Sequence, residues 1–209
     1  MASQIALPPG YSALSVLCET GALAVCRASF QGRPPTLIKL PLAARPQTSI
    51  LQQLEHEYEV ARGLAPGFVL QPLGIERVGG TVVLLLEDFA GHMLADELAA
   101  PMGLGRFFEI AVALSAALAA VHRQGVVHKD INPANVLLAD EWRDAEVPLK
   151  LTGFGLATRQ PRQRQTPDSP ELIAGTLAYL APEQTGRMNR SIDSRSDLYA
   201  LGSPSTPSL

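Results

Sequence analysis

The chain has 209 residues, 46% of them hydrophobic, and a formal net charge of −3 at pH 7. That length buries a core in one domain or in two small lobes. The near-neutral balance excludes a nucleic-acid footprint and a polybasic membrane patch.

Met1 to Gly10 lacks a basic stretch followed by a long apolar run, so no signal peptide is predicted. Tyr11 to Cys18 and Ala22 to Phe30 are predicted as paired strands, and Thr36 to Leu40 as a third, entered through Pro34-Pro35. Cys18 and Cys26 are too few for a disulfide framework and read as structural thiols of a reducing compartment. Ser49 to Leu64 is predicted helical, with Ser49 as N-cap and Leu54, Glu57, Tyr58 and Ala61 on one stripe. Glu57 lies on that apolar stripe whereas Glu55 and Glu59 fall off it, and a carboxylate so placed needs a cationic partner. Thr81 to Glu87, behind Gly79-Gly80, reads as a buried strand.

After Gly91 the character changes. Arg106 to Arg123 is a predicted helix carrying Phe107, Ile110, Leu114, Leu118 and Val121, closed by Gly125. It is apolar on more than one face, which predicts burial on several sides. Its apolar stretch, Phe107 to Val121, contains Glu109 and Ser115 and is too short to cross a bilayer. A cytoplasmic protein without membrane insertion is therefore expected. Short strands follow at Val136 to Leu138 and Leu149 to Leu151, then a polar segment from Thr158 to Pro170 that is predicted mobile. No internal repeat is present.

The most informative stretch is His128 to Asn135, HKDINPAN. Asp130 and Asn135 put a carboxylate and a carboxamide on one short loop. Phosphoryl transfer from a magnesium nucleotide uses such a pair as a base for the hydroxyl proton and an oxygen for the metal. Taken alone, Asp130 is also a common turn-former ahead of Pro133, and Lys39 an ordinary strand-end lysine. Further on come Gly175-Thr176-Leu177-Ala178-Tyr179-Leu180-Ala181-Pro182-Glu183 and Ser196-Asp197-Leu198-Tyr199-Ala200-Leu201-Gly202.

From Tyr11 to Gly202 these features resemble the protein kinase family, of the serine/threonine type. The resemblance implies an α+β, two-lobed fold. A strand-rich small lobe would cover residues 1–90 and a partial helical large lobe 91–202, with the connector near Glu87 to Gly91 and ATP in the cleft. It implies Lys39 and Glu57 as the phosphate clamp, Asp130 as the base, Lys39, Glu87 and Asn135 as nucleotide contacts, and Asn135 as a Mg2+ ligand. Thr176 and Glu183 would belong to the activation segment, with Thr166 and Ser169 as candidate phosphosites. His128 would be a packed loop residue, and Asp197 a structural tether for the catalytic loop.

Three departures bear on activity. Gly153-Phe154-Gly155 stands where the family has Asp-Phe-Gly, so glycine replaces the metal-binding aspartate. The turn Glu19-Thr20-Gly21-Ala22-Leu23-Ala24-Val25 keeps one glycine of the phosphate-cradling loop. Asn132 replaces the lysine of the typical loop, removing a cation.

The run from Gly175 to Gly202, with Glu183-Gln184-Thr185-Gly186-Arg187-Met188-Asn189-Arg190, resembles more narrowly the N-terminal kinase-like domain of large bacterial signalling proteins. Those carry an NTPase region and often a sensor histidine kinase. Beyond Gly202 the chain reads Ser203-Pro204-Ser205-Thr206-Pro207-Ser208-Leu209, through which no helix continues. A premature stop or frameshift with a disordered tail over 203–209 is the expectation, leaving the apolar helix with an uncovered patch. The resulting functional expectation is ATP-dependent phosphoryl transfer to Ser/Thr of a protein in bacterial signalling, impaired at Gly153. The alternatives are a non-catalytic pseudokinase that binds nucleotide or a partner signalling domain, and an inactive remnant. Phosphotransferases of the aminoglycoside type are set aside, because they lack the Thr176 to Glu183 segment and the Asp197 helix.

Overall fold

The computed structural model describes residues 7, 9–31, 33–78, 80–159, 176–185 and 191–203. Most of the polar segment after 159, with Thr166 and Ser169, and the tail from 204 onward lie outside the described residues.

Strands β1 (Tyr11–Thr20), β2 (Leu23–Phe30) and β3 (Thr36–Pro41) run antiparallel, and helix α1 (Thr48–Ala61) follows them. Strands β4 (Pro72–Val78) and β5 (Thr81–Leu86) complete a five-stranded sheet in the order β1-β2-β3-β5-β4. Its edge strands approach each other, since Tyr11 of β1 donates its hydroxyl to Glu76 of β4 at 2.7 Å. The sheet is therefore rolled. Strand β4 was not predicted from the sequence. It opens with Pro72, carries the half-buried Gly74 and exposed Leu73 and Arg77, and occupies an edge, the place in a sheet where proline and weak alternation are tolerated.

Helix α1 starts one residue before the predicted cap. Gln47 is the N-cap, without a side-chain hydrogen bond, and Ser49 lies inside the helix. The helix ends at Ala61, three residues short of Leu64. Its buried stripe is Leu54, Glu57, Val60 and Ala61, with Tyr58 only half-buried.

The large lobe begins with β6 (Gly91–Met93) and the short helix α2 (Leu94–Glu97), followed by the long helix α3 (Leu104–Arg123). Strand β7 (Val126–Val127) pairs with β10 (Thr158–Arg159), while β8 (Val136–Ala139) lies between β6 and β9 (Leu149–Leu151). Helix α4 (Ser194–Gly202) closes the described chain, capped by the Asp193 carboxylate on the Arg195 amide. Among the described residues this is an α+β, two-lobed kinase-like arrangement with fewer large-lobe helices than the family usually has.

Helix α3 corrects two expectations. At 20 residues it is long and apolar enough to cross a membrane by length and composition. Yet Ile110, Leu114, Ala117, Leu118 and Val121 are buried in the core with Val126, Val136, Leu149 and Phe154, which is the packing of a core helix. Nor is it buried on several sides: Leu104, Phe107, Phe108 and Val112 are exposed, because only one face meets β7, β9 and α4. A second cluster joins the lobes, with Leu37, Leu54, Leu84 and Leu86 of the small lobe packed on Met93 and Leu137.

Candidate active site

Two buried tethers fix the cleft. The first starts from Lys39 on β3, whose Nζ lies 2.9 Å from Glu57 Oε2 on α1. Both are nearly sealed, at 6% and 2% exposure, so neither charge has water to fall back on. The second Glu57 oxygen accepts the Gly153 amide at 2.6 Å and the Thr152 hydroxyl at 3.1 Å. Burial pushes the Glu57 carboxyl up, but the Lys39 charge and these hydrogen bonds outweigh it and hold the group below the usual carboxylate range. Glu57 thus joins strand, helix and the 152–154 turn.

The second tether is Asp197, in the first turn of α4 and 1% exposed. Its Oδ2 accepts the His128 amide at 2.9 Å and its Oδ1 the Lys129 amide at 2.8 Å. His122 Nε2, at the end of α3, lies 2.8 Å from Oδ2. These contacts support Lys129 at φ 68°, a left-handed conformation that costs a non-glycine residue energy. His128 is fully buried. Its Nε2 donates to the Thr152 carbonyl at 2.8 Å, which leaves Nδ1 to accept the Asp130 amide at 3.3 Å, and its ring packs on Phe154. Both ring nitrogens are used in the fold.

Asp130 faces the cleft between these tethers. Its Oδ1 accepts the Asn132 carboxamide at 3.1 Å, the Thr176 amide at 3.1 Å and the Thr176 hydroxyl at 3.3 Å. Its Oδ2 accepts Asn135 Nδ2 at 3.0 Å. Asn135 also donates to the Asp130 carbonyl at 2.9 Å, and Asn132 accepts the Ala134 amide, so the loop is closed on itself. Thr176 therefore docks its segment directly on Asp130. Glu183 takes a hydrogen bond from Ser196 Oγ at 2.7 Å, and Gln184 donates to the Lys129 carbonyl at 2.7 Å.

Lys39, Glu57, Asp130, Asn135, Gly153 and Thr176 line one cavity, whose opposite wall is formed by Cys18, Thr20 and Leu23 of the β1–β2 hairpin. Glu87 is not among its lining residues. It sits on the connector, where its carboxylate accepts the Gln71 amide at 2.8 Å and Lys150 Nζ at 2.5 Å. Arg27 of β2 braces the same connector through Asp88 and the Phe89 carbonyl.

Gly153 has φ 85°, and a Cβ at this position would overlap the Asn135 carboxamide. The space of a side chain at 153 is filled by Asn135. A magnesium ion prefers octahedral oxygen ligands anchored by carboxylates. Among the described residues no three His, Cys, Asp or Glu side chains gather into such a set. Glu57 is sealed by its own partners, Asp130 is held by four donors, and Gly153 offers nothing. Position 153 therefore offers a magnesium ion no ligand, and what remains at the cleft is the Asn135 carboxamide oxygen and one lone pair of Asp130 Oδ2.

Sequence reasoning missed Thr152, His122, Ser196 and Gln184. The only signal was a polar residue next to a motif: Thr152 directly before Gly153, and Ser196 directly before Asp197.

Residues 37–204 match the family described as the protein kinase domain. The chain is 35% identical over 198 residues to the DNA damage-responsive serine/threonine-protein kinase RqkA of Deinococcus radiodurans, covering 92% of this chain and 28% of that protein. It is 28% identical to the serine/threonine-protein kinase pkn2 of Myxococcus xanthus, over 75% of this chain and 19% of that protein. With the serine/threonine-protein kinase PknL of Mycobacterium tuberculosis the identity is 45% over 85 residues, 41% of this chain and 19% of that protein. The chain thus spans less than a third of the length of these relatives.

Proposed function

The chain belongs to the protein kinase domain family, and on that premise we propose that it is a nucleotide-binding domain of bacterial serine/threonine-kinase signalling whose phosphoryl transfer is impaired. ATP lies in the cavity between the β1–β2 hairpin and the Asp130 loop, and the acceptor is a serine or threonine hydroxyl of a protein. One observation carries this reading: the buried Lys39–Glu57 pair and Asp130 line the same cavity. A sealed lysine and glutamate on a strand and a helix are costly to desolvate, and the arrangement is intelligible where an ammonium is held ready for phosphate.

The chain's own residues would act as follows. Lys39, oriented by Glu57, holds the phosphates. Asp130 Oδ2 has one hydrogen bond among the described residues, from Asn135, which leaves a lone pair to receive an acceptor hydroxyl. Thr176 fixes the segment beside it. Magnesium would ordinarily neutralise developing charge on the phosphoryl group, and no residue at 153 holds it here. Loss of one preorganised electrostatic group lowers rates by about 10² to 10³. Turnover is therefore expected well below the roughly 1 to 100 per second of protein kinases. A second reading, a regulatory module that binds nucleotide or a partner signalling domain without transfer, is favoured by the Asn135 carboxamide filling the place of a side chain at 153. The length of the relatives supports placement of the domain within a larger signalling protein.

Calorimetric titration with ATP and a γ-phosphate transfer assay test the proposal together. Saturable binding with slow transfer, abolished by Asp130→Asn at little change in affinity, is the expected result. Binding with no transfer above the Asp130→Asn background selects the regulatory reading. Absence of nucleotide binding by folded protein contradicts both.

A further inference from the structure

We infer that Thr152 is a positioning residue, whose buried hydroxyl sets the Lys39–Glu57 pair in register with the Asp130 loop. The inference rests on the nucleotide-cleft reading above and deepens it, by naming what aligns the phosphate-holding lysine with the base.

All three polar groups of Thr152 are engaged, and each reaches a different part of the site. Its amide donates to the Asn135 carbonyl at 3.0 Å. Its carbonyl accepts His128 Nε2 at 2.8 Å, and the other ring nitrogen of that histidine accepts the Asp130 amide at 3.3 Å. Its hydroxyl donates to Glu57 Oε1 at 3.1 Å, while Glu57 Oε2 holds Lys39 Nζ at 2.9 Å. Thr152 is 2% exposed and is not among the cavity-lining residues, so it works through these neighbours and not on a ligand.

The hydroxyl adds what the two backbone groups cannot. Valine at 152 would keep the amide and carbonyl contacts and nearly the same shape, but has no donor for Glu57. Because the acceptor is a buried carboxylate, the bond is charge-assisted and stronger than a neutral one. Glu57 Oε1 also takes the Gly153 amide at 2.6 Å. Two donors from one turn thus fix the plane of the carboxylate, and with it the direction in which Oε2 meets Lys39. Glycine at 153 brings no side chain to this junction, so among the described residues the Thr152 hydroxyl is the side-chain donor from the turn to Glu57.

Acylation of Lys39 by an acyl-phosphate derivative of ATP, followed at saturating probe by peptide mass spectrometry, reads the placement of the lysine separately from affinity. The whole chain is compared with its Thr152→Val and Thr152→Ser variants. The saturated rate constant should fall about fivefold or more in Thr152→Val, and Thr152→Ser, which keeps the hydroxyl, should retain about half the parent rate or more. A smaller fall in Thr152→Val overturns the inference. A Thr152→Ser rate as low as that of Thr152→Val also overturns it, by assigning the effect to packing. Should Thr152→Val not fold, Thr152→Ala takes its place against the same thresholds. Titration of the Glu57 carboxyl by NMR gives a readout that needs no nucleotide. The Thr152 hydrogen bond helps hold that carboxyl below its usual 4.5, so its value should rise toward 4.5 in Thr152→Val and stay low in Thr152→Ser. No acylation of Lys39 in the parent overturns the nucleotide reading; the Glu57 titration then decides the placement of the pair alone, and an unchanged value in Thr152→Val overturns it.

Discussion

Glu57 shows how much one side chain carries here. It is buried, paired with Lys39, and holds the Gly153 amide and Thr152 hydroxyl as well. Lys39→Met would strand a buried carboxylate, a change that typically costs about 3 to 5 kcal/mol. Urea denaturation should show that loss, and a second substitution, Glu57→Gln, should recover part of it by removing the orphaned charge. The pH dependence has a defined sign. Glu57 titrates below its usual 4.5 in the fold, so its contribution is present above that pH and is lost as pH falls through the lower folded value. Gly153 is the other sensitive residue. Gly153→Ala places a Cβ at φ 85° against the Asn135 carboxamide, and a cost of about 1 to 3 kcal/mol is expected in the same denaturation experiment. An unchanged midpoint would mean that Asn135 swings aside freely.

At the scale of elements, the large lobe has a charged clasp that links β6, α2, α3 and the loop after β8. His92 Nδ1 lies 2.9 Å from Asp140 and its Nε2 3.1 Å from Glu97, while Arg106 binds Glu97 through two nitrogens and stacks on Trp142. Both imidazole nitrogens face carboxylates, an arrangement that favours the protonated ring, in which both nitrogens donate. Partial burial pulls the His92 value down, but the hydrogen bonds to Asp140 and Glu97 outweigh it and raise it above 6.5. A raised histidine stabilises the fold below its unfolded value and loses that contribution as pH rises through the folded one. Between pH 6 and 9 the melting temperature of the parent should therefore fall further than that of His92→Gln. Equal slopes would show that the clasp is not titrating. This network was not legible in the sequence, because His92, Glu97, Arg106 and Asp140 are brought together only by tertiary packing. The Glu57 stripe was legible, since helical spacing alone puts that carboxylate on a buried face. The edge strand β4 was not, because its proline, glycine and charges mask the alternation on which strand prediction depends.

Across the whole molecule, the two lobes meet where Lys39, Glu57, Gly153 and Asp130 converge, and the motif residues were identifiable before the fold because their chemistry is unusual at that spacing. Their mutual contacts were not. That Asn135 leans into the space beside Gly153, or that Thr176 docks on Asp130, depends on backbone paths set by Asp197 and the rolled sheet. Function here turns on whether the cleft accepts a nucleotide with its phosphates beside Lys39. An acyl-phosphate derivative of ATP, which transfers its acyl group to a lysine amine next to the bound phosphates, tests that claim most directly when the modified site is read by peptide mass spectrometry. Acylation at Lys39, suppressed by excess free ATP or adenosine, is the expected result. Acylation confined to other lysines, or labelling of Lys39 that neither competitor reduces, would contradict it.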